Sequence, residues 1–173
     1  MTILNTKRLT IRHYQEGDLH EMHRLWSDKE IMYYLDDIMT NSLEETKALL
    51  ESSMKNADGQ YFCICNRQSD SFMGGIGYTI TADTPLGKIV HLGYMLLPEF
   101  WGKGYVTEAV QEIIRFAFED DDCIRITTGC HKENAASSRV MEKAGFHKEG
   151  EGIKAAYHDG VMKDRVEYAI TRE

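Results

Sequence analysis

Only two prolines, Pro85 and Pro98, interrupt the 173 residues. Long regular elements can therefore form, and no proline-rich linker divides the chain. No apolar run approaches the roughly 20 residues needed to cross a bilayer. The first residues, Met1 to Leu9, are polar and lack an apolar stretch followed by a small-residue cleavage site. No export signal is expected, and the default expectation is a cytoplasmic protein without a membrane partner. No dense Lys/Arg block occurs, and the formal net charge is -8. That balance excludes a backbone-tracking nucleic-acid binder. The four cysteines, Cys63, Cys65, Cys123 and Cys130, form no Cys-x-x-Cys pair, so they read as reduced, buried thiols. Cys63 and Cys65 share one face of a strand, and His20 and His23 share one face of a helix. No further ligand stands nearby in the sequence, so no metal is expected. The densest charge run, Glu119 to Asp122, reads as a solvated loop after a helix.

What is present is the composition of a globular domain, 42% hydrophobic and 28% charged. No repeat or composition shift divides residues 1–173, which read as a single domain. Alternation at Leu9 and Ile11 predicts a short strand over Arg8 to Tyr14. A helix follows Asp18, with Leu19, Met22, His23 and Trp26 on one stripe. A second helix starts at the capping box Ser42-Leu43-Glu44-Glu45 and carries Ala48, Leu49 and Met54 on its apolar side. The period then changes to two, giving strands at Tyr61 to Asn66, Phe72 to Ile80 and Lys88 to Leu97. Val106, Ala109, Val110, Ile113, Ile114 and Ala117 recur at helical spacing. A strand at Cys123 to Cys130 precedes a helix over Asn134 to Ala144, capped by Asn134 and stopped by Gly145. Phe146 to Tyr157 and Met162 to Thr171 read as two last strands. The sum is an α+β fold: a mixed, mostly antiparallel twisted sheet of about seven strands with helices on both faces.

The chemistry concentrates where the strand ending at Leu97 runs into Pro98-Glu99-Phe100-Trp101-Gly102-Lys103-Gly104-Tyr105-Val106-Thr107-Glu108-Ala109. A glycine-containing loop opening into a helix can direct several backbone N–H groups, with the positive end of the helix dipole, at one phosphate. A Walker loop is excluded because Lys103 is followed by Gly104, not by Ser or Thr. A dinucleotide fingerprint is excluded because its third glycine position is Thr107. An acyl-CoA pyrophosphate loop is left. Taken alone, Gly102 and Gly104 would as readily be a turn whose glycines only save space.

That segment resembles the coenzyme A loop of the GNAT superfamily, in its RimJ/RimL-like (ribosomal-protein alanine N-acetyltransferase) branch. Asn134-Ala135-Ala136-Ser137-Ser138-Arg139-Val140-Met141-Glu142-Lys143-Ala144-Gly145-Phe146 resembles the same branch's Asn-x-x-Ser … Glu-Lys-x-Gly-Phe helix. Arg8-Leu9 and Asp164 … Tyr168 also fit, so the similarity spans almost the whole chain. Trp101 and Val106 depart from the superfamily's usual loop residues. Met141 stands where many relatives place a tyrosine that protonates the leaving thiolate.

The resemblance implies an N-acetyltransferase with acetyl-CoA as co-substrate and no metal. Its acceptor would be an amine, either a protein N-terminus or a small molecule. A CoA-binding regulator without turnover is the alternative, and a homodimer is compatible with the resemblance. The implied strand around Met95, Leu96 and Leu97 splays from its neighbour and pairs with the pantetheine arm. Gly102, Lys103, Gly104, Tyr105, Val106 and Thr107 would hold the pyrophosphate, and Asn134 would reach the pantetheine while capping its helix. Ser137 is the implied thiolate partner, or a serine bonded to its own helix. His91 reads either as a general base or as a surface residue. Tyr94 is placed in the cleft wall. Trp26, Tyr33 and Tyr34 fall where the family builds its acceptor wall, and aromatic residues there serve equally as core.

Overall fold

In the structure, a computed structural model describing residues 3–35, 39–158 and 160–173, eight strands form one sheet. They are β1 (Ile3–Asn5), β2 (Leu9–His13), β3 (Gly59–Asn66), β4 (Phe72–Thr84), β5 (Gly87–Leu96), β6 (Cys123–His131), β7 (His147–His158) and β8 (Val161–Thr171). Their spatial order is β1-β2-β3-β4-β5-β6-β8-β7. Every neighbouring pair is antiparallel except β5 and β6. That one parallel pair follows from connectivity: α3 (Tyr105–Glu119) carries the chain back across the sheet between them. The strand beyond the expected seven is β1, whose three residues pair with Thr10 to Arg12 and are too few to show an alternation.

Two helix pairs cover the two faces. On one, α3 and α4 (Ala135–Ala144) pack against Ile76, Tyr78, Val90, Leu92 and Leu96. The α3 stripe is the one the spacing predicts, with Ala109, Val110, Ile113 and Ala117 buried. On the other, α1 (Leu19–Trp26) and α2 (Leu43–Lys55) cover Tyr14, Cys63, Cys65 and Leu97. The α1–α2 pair lies over β3 and β4, and on that face His91 and Gly93 of β5 remain exposed.

Two sequence readings of α2 need correction. Ala48 faces solvent, and the buried positions are Thr46 and Leu50. Thr46 sits there because its hydroxyl has polar partners at 2.7 Å in both His23 and Thr40. The capping box is half formed: Ser42 Oγ accepts from Glu45 N–H at 3.1 Å, but the Glu45 carboxylate takes the amide of Asn41 instead. The acidic run after α3 is not wholly solvated either. Asp121 accepts from Tyr78 Oη at 2.6 Å and from Lys88 Nζ at 2.9 Å, tying the loop to β4 and β5. The Cys63 and Cys65 thiols are buried with sulfurs 3.8 Å apart. Among the described residues no three His, Cys, Asp or Glu side chains gather as metal ligands, and no helix is long and apolar enough to cross a membrane.

Candidate active site

The parallel pair opens partway along its length. Pairing of β5 with β6 ends at His91–Thr127, although β5 runs on to Leu96 and β6 to His131. Two side chains take carbonyls that a continued ladder would use. Thr128 Oγ1 donates to Leu92 O at 3.0 Å, and Trp101 Nε1 donates to Leu96 O at 2.8 Å. Leu97 N–H bonds Met73 O on the β4 side. Ladder alternation then turns the amides of Met95 and Gly93 toward β4 as well. The backbone groups left facing the gap are therefore the N–H and C=O of Tyr94 and the N–H of Leu96. Of the three residues the sequence marked for this strand, Met95 and Leu97 turn the other way. An antiparallel ladder alternates its hydrogen-bonding sides residue by residue, and the register was not readable from the sequence.

The loop at the mouth of the gap is exposed from Trp101 to Gly104. Trp101 N–H bonds Pro98 O at 3.1 Å, and Glu108 N–H bonds Gly104 O at 3.2 Å. Between them the N–H groups of residues 102–107 meet no acceptor among the described residues, and α3 has no side-chain cap. Gly102 and Gly104 adopt φ of +71° and +77°. That left-handed conformation is open to glycine and strained for other residues. Arg8 braces this arrangement from β2's approach: its Nε reaches Glu108 at 2.6 Å, an Nη reaches Lys103 O at 3.0 Å, and the guanidinium lies 4.3 Å over the Tyr105 ring. A cavity of about 480 Å³ adjoins the loop, lined by Thr6, Lys7, Arg8, Gly104, Thr107 and Lys143 among others.

Across the gap, α4 presents its N-terminus. Asn134 caps it as the sequence predicts, with Oδ1 accepting from Ser137 N–H at 3.1 Å, and Gly145 ends it at φ +100°. Ser137 Oγ lies 2.7 Å from Tyr94 Oη. Tyr94 thus points to the α4 side, and burial pushes its hydroxyl up to about 12 against the opposing effect of the Ser137 bond. Met141, one turn on, is buried in the core.

On the opposite face, His91 stands at the vertex of the gap. Its Nδ1 lies 3.1 Å from Thr127 Oγ1, and that hydroxyl donates to Val90 O at 3.1 Å. With its proton so engaged, Thr127 accepts from Nδ1–H, which leaves the lone pair on Nε2. Although His91 keeps an exposed surface, the protein packed around its ring partly desolvates it and lowers its pKa, while Glu167 opposes and Arg165 adds to the lowering.

A gap between parallel strands, free amides at a helix start and a hydroxyl pair across the gap form one connected arrangement. The sequence of residues 8–147 matches the model of the acetyltransferase (GNAT) domain. The chain belongs to the GNAT N-acetyltransferase family. An uncharacterized N-acetyltransferase of Bacillus subtilis, YnaD, is 29% identical over 171 residues, covering 98% of this chain and 97% of the relative. The structure of a GNAT-family acetyltransferase from Bacillus anthracis superposes with a TM-score of 0.86 at 27% identity, covering 98% of both chains. The fold is also that of RimL, a ribosomal L7/L12 α-N-protein acetyltransferase solved with coenzyme A, at a TM-score of 0.87, 23% identity and 98% coverage of both chains.

In this GNAT chain the aromatic residues that the sequence marked for the acceptor wall separate. Trp26 is 4% exposed and packs edge-on against Tyr14 in the core. Tyr33 and Tyr34 instead sit in a 3-10 turn after α1 and join two histidines that sequence reasoning missed. Tyr33 lies against His158 at 4.4 Å, and Tyr34 against His131 at 5.3 Å. His131 ends β6 and His158 ends β7, and their rings lie 5.6 Å apart. Twenty-seven positions separate those two histidines, and only the sheet order brings them together.

Proposed function

We propose that this GNAT acetyltransferase transfers the acetyl group of acetyl-CoA to a primary amine by direct attack within a ternary complex. The observation that carries the reading is the set of unpartnered amides at residues 102–107, opening directly onto the gap between β5 and β6. Those amides and the α3 dipole suit the pyrophosphate. The adjoining cavity suits the nucleotide end. The pantetheine arm would enter the gap and meet the free backbone groups of Tyr94 and Leu96, with Asn134 Nδ2 available from α4. The Tyr94 N–H would then polarise the thioester carbonyl as charge develops on oxygen.

The acceptor would approach from the His91 face, past Tyr33 and Tyr34. His91 Nε2 would take the amine's proton as its nitrogen attacks, and Ser137 would meet the departing sulfur from the α4 side. Holding both reactants across one gap supplies much of the rate by itself. The relatives leave the acceptor open. RimL acts on a ribosomal protein, and a spermidine N-acetyltransferase of Vibrio cholerae, solved with CoA and spermine, shares the fold at a TM-score of 0.85 and 20% identity.

The test is acetyl-CoA consumption against a panel of N-terminal peptides and small amines, alongside thermal stabilisation by CoA. Stabilisation with turnover of at least one amine supports the reading. Stabilisation with no acetylated amine in a broad panel favours a CoA-binding regulator. No stabilisation by millimolar CoA removes the CoA site altogether.

A further inference from the structure

The geometry points to Tyr94 as the residue that positions Ser137 for departure of the thiol, a role that rests on the acetyl-CoA reading above. Met141, one turn beyond Ser137, is buried and offers no hydroxyl. The hydroxyl that does reach this point comes from a different element, β5: Tyr94 Oη lies 2.7 Å from Ser137 Oγ. Tyr94 Oη also lies 3.4 Å from the Ser137 carbonyl, but Oγ is much the nearer, and a phenol is a better donor and a poorer acceptor than an aliphatic alcohol, so Tyr94 donates to Ser137 Oγ. Ser137 then has its own proton to place.

A hydroxyl at or near a helix can give that proton to its own backbone. Ser27 Oγ donates to His23 O at 2.6 Å, and Thr46 Oγ1 to Ser42 O at 3.1 Å. Ser137 Oγ has no such acceptor among the described residues; its one polar contact is Tyr94. With Tyr94 donating to its oxygen and Asn134 fixing its backbone N–H, the Ser137 O–H is left free to turn toward a sulfur in the gap.

The step balances without a net change in either side chain. The amine lone pair attacks the thioester carbon, and the amine proton passes to His91 Nε2 or water. Collapse of the tetrahedral intermediate breaks the C–S bond, and the electron pair stays on sulfur. The thiolate leaves against the Ser137 O–H and the N-terminal end of α4 and takes a proton from solvent on release. Tyr94 keeps its own proton throughout, as a hydroxyl pushed up to about 12 by burial will at neutral pH.

The test compares Tyr94→Phe, Ser137→Ala and the double variant. Activity is measured with the best amine of the panel, or with hydroxylamine where none is turned over. Loss of a hydrogen bond acting on a charged group predicts a kcat lower by roughly 10- to 100-fold in Tyr94→Phe. CoA should stabilise Tyr94→Phe as well as it stabilises the parent. The double variant should be no slower than Ser137→Ala, because Tyr94 acts only through Ser137. Parental kcat in Tyr94→Phe, or multiplicative effects in the double variant, would overturn the inference. A Tyr94→Phe protein that loses CoA stabilisation as well as turnover would mark a purely structural residue and overturn it too. Failure of CoA to stabilise even the parent protein would instead remove the acetyl-CoA reading beneath it.

Discussion

Arg8 and Glu108, 100 positions apart, meet through two hydrogen bonds: Arg8 N–H to Oε1 at 2.9 Å and Nε to Oε2 at 2.6 Å. Thr6 Oγ1 adds a third, to Oε1 at 2.6 Å. Glu108 lies in the first turn of α3, where a carboxylate is favoured by the dipole. The pair therefore ties the β1–β2 turn to the start of the helix that carries the free amides.

Arg8→Ala should weaken CoA binding by about tenfold, through loss of the brace on Lys103 and Tyr105, with a destabilisation of about 1 kcal/mol for a half-exposed pair. Calorimetric titration with CoA and thermal melting check both. The pH dependence has a definite sign. Burial raises the Glu108 pKa, but the bonds from Thr6 and Arg8 outweigh it and the net direction is down. A depressed carboxyl contributes stability above its unfolded value, and that contribution is lost as pH falls through and below the ordinary carboxylate range. Glu108→Gln should flatten that part of the stability–pH curve.

Gly102→Ala and Gly104→Ala both place a side chain at positive φ, at a cost of about 1 kcal/mol each. No atom lies within 4 Å of a Cβ at Gly102, and the nearest at Gly104 is an Arg8 nitrogen at 3.6 Å. The damage should therefore be to the aim of the amides, not to packing. A double variant should melt only a few degrees lower yet lose most of its stabilisation by CoA.

His91 should set the acidic limb of the pH profile of kcat/KM. Burial lowers its pKa, with Glu167 opposing and Arg165 adding, so the imidazole stays neutral to a lower pH than a free histidine. Activity should fall only as pH drops below about 6.5. His91→Ala should lose that limb together with roughly 100-fold in rate. Thr127→Val removes the acceptor that fixes the tautomer, and it should lower activity while leaving CoA stabilisation intact.

Gly74 and Gly93 sit on neighbouring strands and should behave oppositely. A Cβ at Gly74 would lie 2.2 Å from Met95 O and 2.8 Å from Leu96 Cα, both backbone atoms. Gly74→Ala should displace β5 beside the gap, destabilise the fold by about 2 kcal/mol and impair CoA binding. A Cβ at Gly93 meets nothing within 4 Å. Gly93→Ala should melt within about 2 °C of the parent and bind CoA normally. Because it lies beside His91 on the open face, it should raise KM for the acceptor.

The helix ends were legible for a local reason. Asn134 as a cap and Gly145 as a stop act within one turn of themselves, so their spacing carries the signal. The α3 stripe was legible because a helix buries one side at a fixed period. The loop at residues 101–107 was legible because glycine at positive φ and a helix start are chain-local properties. The α2 stripe was misread because Ala48 is apolar but small, while Thr46 is polar but satisfied by His23 and Thr40. Hydropathy cannot see a hydrogen bond made to another helix.

By itself, then, the sequence determined the order of the elements after β1, the glycine-containing loop that opens into α3 and the two motifs that mark the family. Each is encoded within a dozen residues, where backbone geometry follows from local chemistry. The tertiary structure alone decided which backbone groups face the gap, because the β4–β5 register sets the side to which each turns, and the side chains of Thr128 and Trp101 occupy the carbonyls of Leu92 and Leu96. It also decided that Tyr94 meets Ser137 at a separation of 43 positions, and that Trp26 belongs to the core. Strand register and helix docking are set by the packing of both faces at once, and no single stretch of chain contains that information.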